Sequence, residues 1–513
     1  MATSPNAANR LRELVLSLAI QGKLVPQEAK DSSAGVLLTQ IRLEIIGHTD
    51  PVDDGFLNGG PFALPKTWEW VPLGEVVEVI RGITFPASEK TRETAPNRVA
   101  CLRTTNIQQS VEWEDLLFVD RSFVGREDQL IRHHDIVMSM ANSRELVGKV
   151  ALIEHVPYPQ ATFGGFLGVV RPRHIEPRYV MAVLRSRYAR TALVVSASQT
   201  TNIANISLGK LRPLPFPLPP LAEQHRIVAR VEELMKLCDA LERSGRLADE
   251  QHAWLTSTLF DALAASESAH ALAENWQRIA EHIDLLLDRP EAIDAVEQTI
   301  LRLAVRGLLA GESDPSGWAD ATLGSVVEFL NGYAFKSDWF RSEGVRLVRN
   351  VNVGHGKLSW SNGAWVDDAV ARDLERFALA AGDLVISLDR PIISSGLKYA
   401  VVRECDLPCL LLQRVARMTP RAMVLDPAYL ELWLRSPVFI GSIDPGRSNG
   451  VPHISTRQLE AIPFLLPLLA EQHRIVARVE ELRALCAQLR ERLTDARRTQ
   501  SQLADALVAR AVG

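Results

Sequence analysis

The sequence predicts a multidomain α+β protein, in which two mixed α/β domains are separated by two long α-helices packed as an antiparallel coiled coil, with an internal pseudo-two-fold repeat. Two observations lead to this prediction. A segment of 14 residues occurs twice without a change, and each copy opens a long stretch with helical periodicity. The stretches that precede the two copies share only a sparse skeleton, in which short β-rich runs alternate with helical ones.

The repeated segment, LAEQHRIVARVEEL, occupies Leu221–Leu234 and Leu469–Leu482, an offset of 248 residues. An identity of this length within one chain indicates an internal duplication. Weaker matches keep nearly the same offset, since WEWVPLGEV, which begins at Trp68, corresponds to WADATLGSV, which begins at Trp318. The constant part suggests one partner or one geometry used twice, and the divergent part suggests two different targets.

Each copy of the segment begins a helix with a single apolar stripe. Proline precedes both starts, at Pro220 and Pro467, where a first helical turn tolerates it. Apolar residues then recur at steps of three and four for about five heptads, as in a coiled coil. We expect the two stripes to pack together; the alternative is that each helix packs separately on its own domain. The stripes are Ile227, Val231, Leu234, Cys238, Leu241, Ala248, Leu255, Leu259 and Ala262, and Ile475, Val479, Leu482, Cys486, Leu489, Leu493, Ala496, Leu503 and Leu507.

The repeat divides the chain into six parts. The variable parts contain β-rich runs such as Asp135–Met140 and Asp383–Leu388, and the other parts have helical spacing. The predicted parts are an N-terminal helical region (1–65), a first α/β domain (66–218), a long helix (219–265), a helical connector (266–316), a second α/β domain (317–466) and a second long helix (467–513).

Composition and charge favour a globular protein of the cytoplasm. The chain has 513 residues, 47% of them hydrophobic and 23% charged, and its five cysteines are sparse, as in a reducing compartment. No apolar run reaches the roughly 18 residues of a membrane helix, and the first residues do not form a signal peptide, so we expect a cytoplasmic protein that binds no membrane. The net charge of −5 argues against a nonspecific nucleic-acid coat but leaves room for a local basic cleft.

A divergent α/β domain followed by PLPPLAEQHRIVARVEEL and a long helix, all of it repeated, resembles the specificity subunits of Type I restriction–modification enzymes. LVLSLAIQGKLVPQ (Leu14–Gln27) and Ile206-Ser207 also match that family, and the resemblance covers essentially the whole chain. It implies that each α/β domain is a target recognition domain, which reads one half of a split site in double-stranded DNA, and that the helices set the gap between the half-sites. It also implies that two methyltransferase subunits dock on the repeated helical regions and that restriction subunits join through that complex.

Polar residues of the kind that contact bases and phosphates cluster at matching places in the two domains. For each of them the alternative is an ordinary role, such as a solvated strand edge, an exposed lysine, a plain turn or, for Ser207 and Ser455, a helix cap. The candidate DNA contacts are Arg103, Thr104, Asn106, Ser139, Asn142, Arg144, Lys149, Thr200, Thr201 and Asn202 in the first domain, and Arg349, Asn350, Asn352, Ser387, Arg390, Lys398, Arg447, Ser448 and Asn449 in the second.

The charged face of the repeated helix start is a candidate for binding a partner protein. A solvated surface drifts freely in sequence, yet this face is unchanged between the copies. We therefore expect it to contact the same partner twice. The candidate residues are Glu223, Gln224, Arg226 and Arg230, with their copies Glu471, Gln472, Arg474 and Arg478.

No catalytic residue, metal site or cofactor is predicted. Gly354–Lys357 lacks the spacing of a nucleotide-binding loop, and the Asn/Asp-Pro-Pro-aromatic motif of amino-methyltransferases is absent from the sequence. The single pair Cys405 and Cys409 favours two buried thiols over a metal site, and His133-His134 favours exposed histidines at a strand entrance. The alternatives to DNA recognition are a scaffold that binds only proteins and an enzyme such as a nuclease; duplication would have copied an active site to both halves, which argues against the enzyme.

Overall fold

The computed structural model describes residues 7–45, 60–143, 146–196, 198–200, 203–309, 317–393, 396–443, 446–448 and 451–512. The chain divides into two compact units. Unit 1 comprises Met1–Leu247 and Thr499–Gly513, and unit 2 comprises Ala248–Arg498. Each of the two long helices contributes residues to both units.

Unit 1 contains a mixed α/β domain and the helices that adjoin it. Its strands are β1 (Glu69–Pro72), β2 (Val77–Arg81), β3 (Arg98–Leu102), β4 (Leu117–Asp120), β5 (Ile136–Ser139), β6 (Ala141–Asn142), β7 (Val150–Leu152), β8 (Ala161–Phe163), β9 (Leu167–Pro172), β10 (Ser198–Thr200), β11 (Ile203–Asn205) and β12 (Pro215–Leu218). Its helices are α1 (Ala7–Ile20), α2 (Ala34–Ile45), α3 (Leu73–Val76), α4 (Pro177–Arg185), α5 (Arg187–Ser196), α6 (Leu208–Leu211) and the first part of α7 (Leu221–Ala264).

Two sheets form the body of the domain in unit 1. Strands β2, β9, β5 and β7 make an antiparallel sheet in that order, and β3 lies between β4 and β8, parallel to β8. Every residue of β5 is buried, which explains why its first three residues are apolar: a central strand is covered on both faces. Strand β1 pairs with β12, so the domain begins and ends on neighbouring strands, immediately before α7.

Unit 2 contains the helical connector, the second α/β domain and most of the second long helix. Its strands are β13 (Ala319–Thr322), β14 (Val327–Asn331), β15 (Val345–Val348), β16 (His355–Gly356), β17 (Trp365–Val366), β18 (Leu384–Ser387), β19 (Ile392–Ile393), β20 (Gly396–Leu397), β21 (Tyr399–Val401), β22 (Cys409–Leu411), β23 (Val415–Pro420), β24 (Gly446–Ser448), β25 (Val451–His453) and β26 (Pro463–Leu466). Its helices are α8 (Ala269–Ala280), α9 (Ile283–Leu286), α10 (Ala292–Val305), α11 (Leu323–Val326), α12 (Asp368–Asp373), α13 (Pro427–Arg435), α14 (Pro437–Ser442), α15 (Thr456–Glu460) and α16 (Leu469–Val512).

The domain of unit 2 repeats the plan of the first. Its main sheet has the order β14, β23, β18, β21 and β16; β15 lies between β17 and β22, parallel to β22; and β13 pairs with β26. The central strand β18 is completely buried, like β5. The predicted fold class is therefore confirmed: two mixed α/β domains, two long helices of 44 residues each, and an internal repeat.

The contacts of helix α10 show in which direction the end of α7 runs in unit 2. Arg289, just before α10, pairs with Asp249 of α7 at 2.6 Å. Arg302, near the end of α10, pairs with Asp261 of α7 at 2.9 Å. From the first contact to the second, the residue number rises along both helices, from 249 to 261 in α7 and from 289 to 302 at α10, so α7 runs parallel to α10.

The same helix shows that α16 runs in the opposite direction. Arg497 pairs with Glu291 at the start of α10 at 2.6 Å, and Arg490 pairs with Asp294 at 2.8 Å. The residue number of the α16 partner falls from 497 to 490 as that of the α10 partner rises from 291 to 294, so these two helices are antiparallel. Within unit 2, α7 and α16 are therefore antiparallel to each other, as predicted. Exposed ion pairs of this kind add little stability, but they record the direction of the helices.

The first part of each long helix packs on the α/β domain that precedes it. Ile227 is completely buried in the core of the first domain, and Val231 packs against that core. Ile475 and Val479 are buried in the core of the second domain. At the beginning of both helices, the alternative prediction is therefore confirmed: each helix packs on its own domain.

The end of α7 packs on the helices that follow it. Phe260 and Leu263 form a buried cluster with residues of α8 and α9. The predicted stripe positions Ala248, Leu255 and Ala262 are instead exposed. The predicted stripe is wrong for these three positions, although Leu259 does pack against the cluster, because the connector helices cover a neighbouring face of α7 and the periodicity alone did not distinguish the two faces.

Candidate nucleic-acid interface and the joint behind it

The edge that follows strand β5 brings two of the predicted clusters of unit 1 together. Strand β5 ends at Ser139, and the chain continues into β6, where Asn142 lies opposite Ala204 of β11. Strand β11 pairs in turn with β10, which ends at Thr200. Asn142 and the two strands of the β10–β11 hairpin therefore lie in one small sheet.

A side-chain hydrogen bond links a third cluster to this edge. Lys149, which is half-buried before β7, donates from Nζ to Oε1 of Gln108 at 3.3 Å. Gln108 closely follows the turn that contains Arg103, Thr104 and Asn106. The described residues of the three predicted clusters thus meet at one place, which we call polar edge 1.

Unit 2 has a corresponding polar edge 2. Strand β18 ends at Ser387, and the next residues lead to Asp389, which forms a β-bridge with His453 at the end of the β24–β25 hairpin. That hairpin contains Arg447. The two edges therefore have the same construction, in which the end of a buried central strand lies beside a short hairpin from much later in the chain.

Lys398 links polar edge 2 to the turn that follows β15. Its Nζ donates to the backbone carbonyl of Asn350, as Lys149 reaches the matching turn in unit 1. Burial lowers the pKa of Lys398, and the positive charge of Arg390 lowers it further. Arg390 itself is exposed, with φ of 47°. Two cations without equal negative charge beside them form a surface that favours an anion.

Two asparagines that were predicted to contact DNA are internal to the chain. Asn106 is 3% exposed; its Oδ1 accepts from the backbone N–H of Arg103 at 2.9 Å, and its Nδ2 donates to the carbonyl of Glu114 at 3.1 Å. Asn352 is completely buried and accepts from the backbone N–H of Arg349 at 3.1 Å. The prediction of base contact is corrected for both, because their amides close the same turn in each unit.

Two serines are corrected for the same reason. Ser139 and Ser387 are buried at the ends of β5 and β18. The hydroxyl of Ser387 donates to the carbonyl of Asp389 at 2.8 Å, which holds the chain as it leaves the strand. Both serines position the polar edges and do not present a hydroxyl to a ligand.

The remaining candidates differ in what the structure describes of them. Thr104, Asn142, Arg349 and Asn350 are half-buried, and Arg103 is half-buried with Nη2 at 3.1 Å from a carboxylate oxygen of Asp115. Of Thr200, Arg447 and Ser448 only the strand backbone is described. Arg144, Thr201, Asn202 and Asn449 lie outside the described residues.

The repeated helix start forms a joint with the α/β domain of unit 1. Glu223 is 1% exposed and accepts from Nε1 of Trp68 at 2.9 Å, and burial raises the pKa of its carboxyl group. Gln224 is completely buried; its Oε1 accepts from the N–H of Glu176 at 2.9 Å, and its Nε2 donates to the carbonyl of Pro219 at 2.9 Å. These bonds tie the start of α7 to the start of α4.

The joint of unit 2 repeats the glutamine bonds but not the tryptophan bond. Gln472 is completely buried; its Oε1 accepts from the N–H of Asp426 at 2.8 Å, and its Nε2 donates to the carbonyls of Pro467 and Val424, both at 2.9 Å. Glu471 is also buried. Within the described part of the chain, Oε1 of Glu471 and Nε1 of Trp318 have no hydrogen-bond partner.

The predicted partner-binding face is therefore corrected for half of its members. Glu223, Gln224, Glu471 and Gln472 lie inside the chain, where their polar groups face the adjoining domain. A shared internal joint explains why these residues are identical in the two copies, without a partner protein.

The arginines of the same segment lie at the surface. Arg226 is partly buried and pairs with Asp31 at 2.6 Å, and this contact lowers the pKa of Asp31. Arg230 and Arg478 are exposed, and each pairs with the glutamate three residues later. Arg474 is exposed as well. These four remain candidates for contact with a partner.

Comparison with known proteins identifies the family. Residues 65–249 match the family model described as the Type I restriction modification DNA specificity domain. Over 98% of its length the chain is 36% identical to the EcoAI specificity subunit of a Type I restriction enzyme from Escherichia coli, 93% of which is covered. The chain belongs to the specificity subunits of Type I restriction enzymes. The resemblance stated from the repeat and the helix start is thereby confirmed.

A second specificity subunit and a solved structure align at lower identity but over most of their length. The EcoKI specificity subunit of Escherichia coli strain K12 is 25% identical, and the match covers 87% of this chain and 89% of that protein. A solved chain from a structural study of assembly and conformational transition in the type I system superposes with a TM-score of 0.51 at 20% identity, covering 88% of this chain and 99% of that one. At this identity the likeness concerns the fold alone.

Sequence reasoning missed an ion-pair group in this specificity subunit. Asp389 is 5% exposed; Oδ2 of its carboxylate accepts from Nη1 of Arg414 at 2.6 Å, and Oδ1 lies 2.7 Å from Nδ1 of His453. An acidic residue was not among the types sought for DNA contact. The available signal was an acidic residue directly beside Arg390, at the matching strand end of the second domain.

Some further predictions concern thiols, histidines and metal ions. Cys409 is buried as predicted, but Cys405 is exposed, so the prediction of two buried thiols is wrong for Cys405. His133 and His134 are exposed, as predicted. Across the described ranges, no group of three or more His, Cys, Asp and Glu side chains is arranged to hold a metal ion. In the same ranges, no helix combines the length and apolar character required to cross a bilayer.

Proposed function

We propose that this chain is the DNA-recognition component of a Type I restriction–modification complex, in which the domains at 66–218 and 317–466 each read one half of a bipartite site in double-stranded DNA. One observation carries the proposal: the same polar edge is built twice, on the same backbone plan, with different side chains. An enzyme with two copies of one site would keep the reacting groups identical. Two reading sites for different half-sites need the same frame with different polar groups.

The charge of the edges fits contact with a nucleic acid. Each edge carries a lysine that reaches toward the turn of a second cluster, and such lysines suit phosphate contacts. Half-buried or exposed polar side chains lie beside them and suit base edges. The proposed contacts are Arg103, Thr104, Asn142, Arg144, Lys149, Thr200, Thr201 and Asn202 in one domain, and Arg349, Asn350, Arg390, Lys398, Arg447, Ser448 and Asn449 in the other.

The long helices are proposed to set the spacing of the half-sites. Each has 44 residues, which at ~1.5 Å per residue gives a length of roughly 66 Å. Half-sites on one face of B-DNA are separated by multiples of about 34 Å, so a rigid spacer of this order is required. Two methyltransferase subunits are proposed to dock on the helical regions through surface arginines such as Arg230 and Arg478, and restriction subunits to join that complex.

The chemistry is assigned to those partners and not to this chain, which needs no cofactor of its own. Methylation within a duplex requires the target base to leave the stack and enter a pocket beside a methyl donor. In this proposal the chain recognises the DNA sequence, and a methyltransferase subunit provides the pocket that receives the base. We place the complex in the cytoplasm, where the host DNA is located.

Co-expression with the methyltransferase encoded beside this chain tests the proposal. The copurified complex is expressed in a host without other methylation, and the genome is mapped by single-molecule sequencing. We expect a split motif, two short defined blocks around a fixed undefined gap. A complex that forms without any motif would favour a protein-binding scaffold, and metal-dependent DNA cleavage by the purified chain would favour a nuclease; either result contradicts the proposal.

A further inference from the structure

One turn position places a different side chain at the polar edge of each unit. Phe166 immediately precedes β9, and its carbonyl accepts from the N–H of Met140 at 2.9 Å. Arg414 immediately precedes β23, and its carbonyl accepts from the N–H of Leu388 at 2.8 Å. In both units the next residue lies opposite the last residue of the buried central strand. Phe166 and Arg414 therefore occupy equivalent positions.

Both side chains are presented to solvent. Phe166 is 68% exposed, although phenylalanine normally buries its ring. The side chain of Arg414 is 64% exposed, and its φ of 69° is unusual for a residue with a Cβ atom. The backbone of each unit thus presents a large side chain to solvent beside the polar edge. This side chain is an apolar ring in unit 1 and a cation in unit 2.

A buried carboxylate orients the cation in unit 2. Asp389, whose side chain is 7% exposed, binds Nη1 of Arg414 on one oxygen and Nδ1 of His453 on the other. Lys398 interacts electrostatically with Asp389 as well, so the carboxylate faces the side chains of Arg414, His453 and Lys398. Among the described residues, Nε and Nη2 of Arg414 have no other partner.

Unit 1 has no equivalent of this carboxylate. The residue that corresponds to Asp389 is Ala141, which lies opposite Asn205, as Asp389 lies opposite His453. An arginine at Phe166 would therefore lack the group that orients Arg414. The two polar edges therefore differ at two linked positions: the turn residue (Phe166 or Arg414) and the second residue after the central strand (Ala141 or Asp389).

We infer that this turn is a specificity-determining position: Arg414 reads a guanine in the half-site of unit 2, and Phe166 contacts the methyl group of a thymine in the half-site of unit 1. A guanidinium with two N–H groups on one side matches O6 and N7 of guanine, and an apolar side chain matches the C5-methyl group of thymine. Asp389 is a positioning residue, because it holds the guanidinium before DNA binds and so reduces the ordering cost. The inference deepens the proposed function and rests on it.

Methylation mapping of single variants in the complex tests the inference. In R414A we expect one guanine position of one block to become degenerate, with a loss of discrimination of about 5- to 150-fold, while the other block stays unchanged. In F166A we expect a thymine position of the other block to relax. D389N keeps an oxygen that accepts from Arg414, so it should retain more of the guanine preference than D389A.

Controls make each outcome decisive. Both turn residues are exposed, so the truncated variants should coelute with the methyltransferase and keep the wild-type circular dichroism spectrum. R414K is the second variant at this position; it keeps the charge but not the planar fork, and intermediate discrimination is expected. A wild-type motif in R414A and R414K, relaxation in both blocks, or loss of all methylation in an intact complex would overturn the inference. A wild-type complex without a split motif would instead refute the proposed function.

Discussion

Removal of the buried side-chain amide of Gln224 tests why the repeated segment has the same sequence in both copies. We attribute the identity to the joint between each long helix and its α/β domain. The perturbation is Gln224→Ala, with Gln472→Ala as its copy. Gln224 makes two hydrogen bonds of 2.9 Å, to the N–H of Glu176 and to the carbonyl of Pro219, and its side chain is completely buried. Alanine cannot replace either bond.

The expected magnitude follows from the groups that are left without partners. The carbonyl of Pro219 is buried, and an unsatisfied buried acceptor costs about 1–3 kcal/mol. The N–H of Glu176 is partly buried, so its loss lies at the low end of the same range. Together we expect Gln224→Ala to reduce the free energy of unfolding by about 2–4 kcal/mol. Gln472→Ala should cost at least as much.

Hydrogen exchange measured by mass spectrometry locates the effect. Peptides that cover Glu176 and the start of α7 should exchange roughly 30- to 700-fold faster in Gln224→Ala, the ratio that corresponds to about 2–4 kcal/mol. The matched control is Arg230→Ala, which removes only an exposed ion pair three residues apart and should change stability by less than about 0.5 kcal/mol. Equal effects of the two substitutions would refute the joint as the reason for the identity.

Trp68→Phe removes the hydrogen bond from Nε1 to the carboxylate of Glu223, so it should destabilise the joint of unit 1 by about 1.5–3 kcal/mol more than Trp318→Phe destabilises the joint of unit 2. Local hydrogen exchange measures both losses, and equal losses would contradict this prediction. Cys405 should be the single thiol that reacts rapidly with an aromatic disulfide reagent, since it is exposed while burial raises the pKa of the other four, and several fast thiols would be inconsistent. Lys398→Ala should weaken binding to all DNA sequences alike and lower the salt dependence of binding by about one unit of slope; a change confined to one sequence would oppose a phosphate contact.

The fold was predictable because the repeat and the periodicities are properties of the sequence alone. An apolar run such as Ile136–Ser139 predicts a buried strand, and an unchanged segment after prolines predicts the same helix start twice. The location of the polar edges was predictable for a related reason: side chains at the same place in a repeated strand plan meet at the same edge. This is why Asn142 and the hairpin that contains Thr200 lie in one sheet.

Residue type did not reveal which polar groups the chain itself uses. Asn106 and Gln224 have the side chains of base readers or partner contacts, yet both amides are satisfied by backbone groups. Such bonds depend on turns and junctions that form only after folding. The pair of Asp389 and Arg414 was missed because the two residues are 25 positions apart and meet only through the order of the strands.

A domain replacement tests the central claim most directly. Replacing Glu69–Leu218 by Ala319–Leu466 exchanges whole domains at paired terminal strands, and the joint can accept the graft because Gln224 and Gln472 belong to identical helix starts. If each domain reads its own half-site, the methylation map of the complex will show two blocks that both carry the bases of the second domain. An intact complex that keeps the original two blocks would contradict the account.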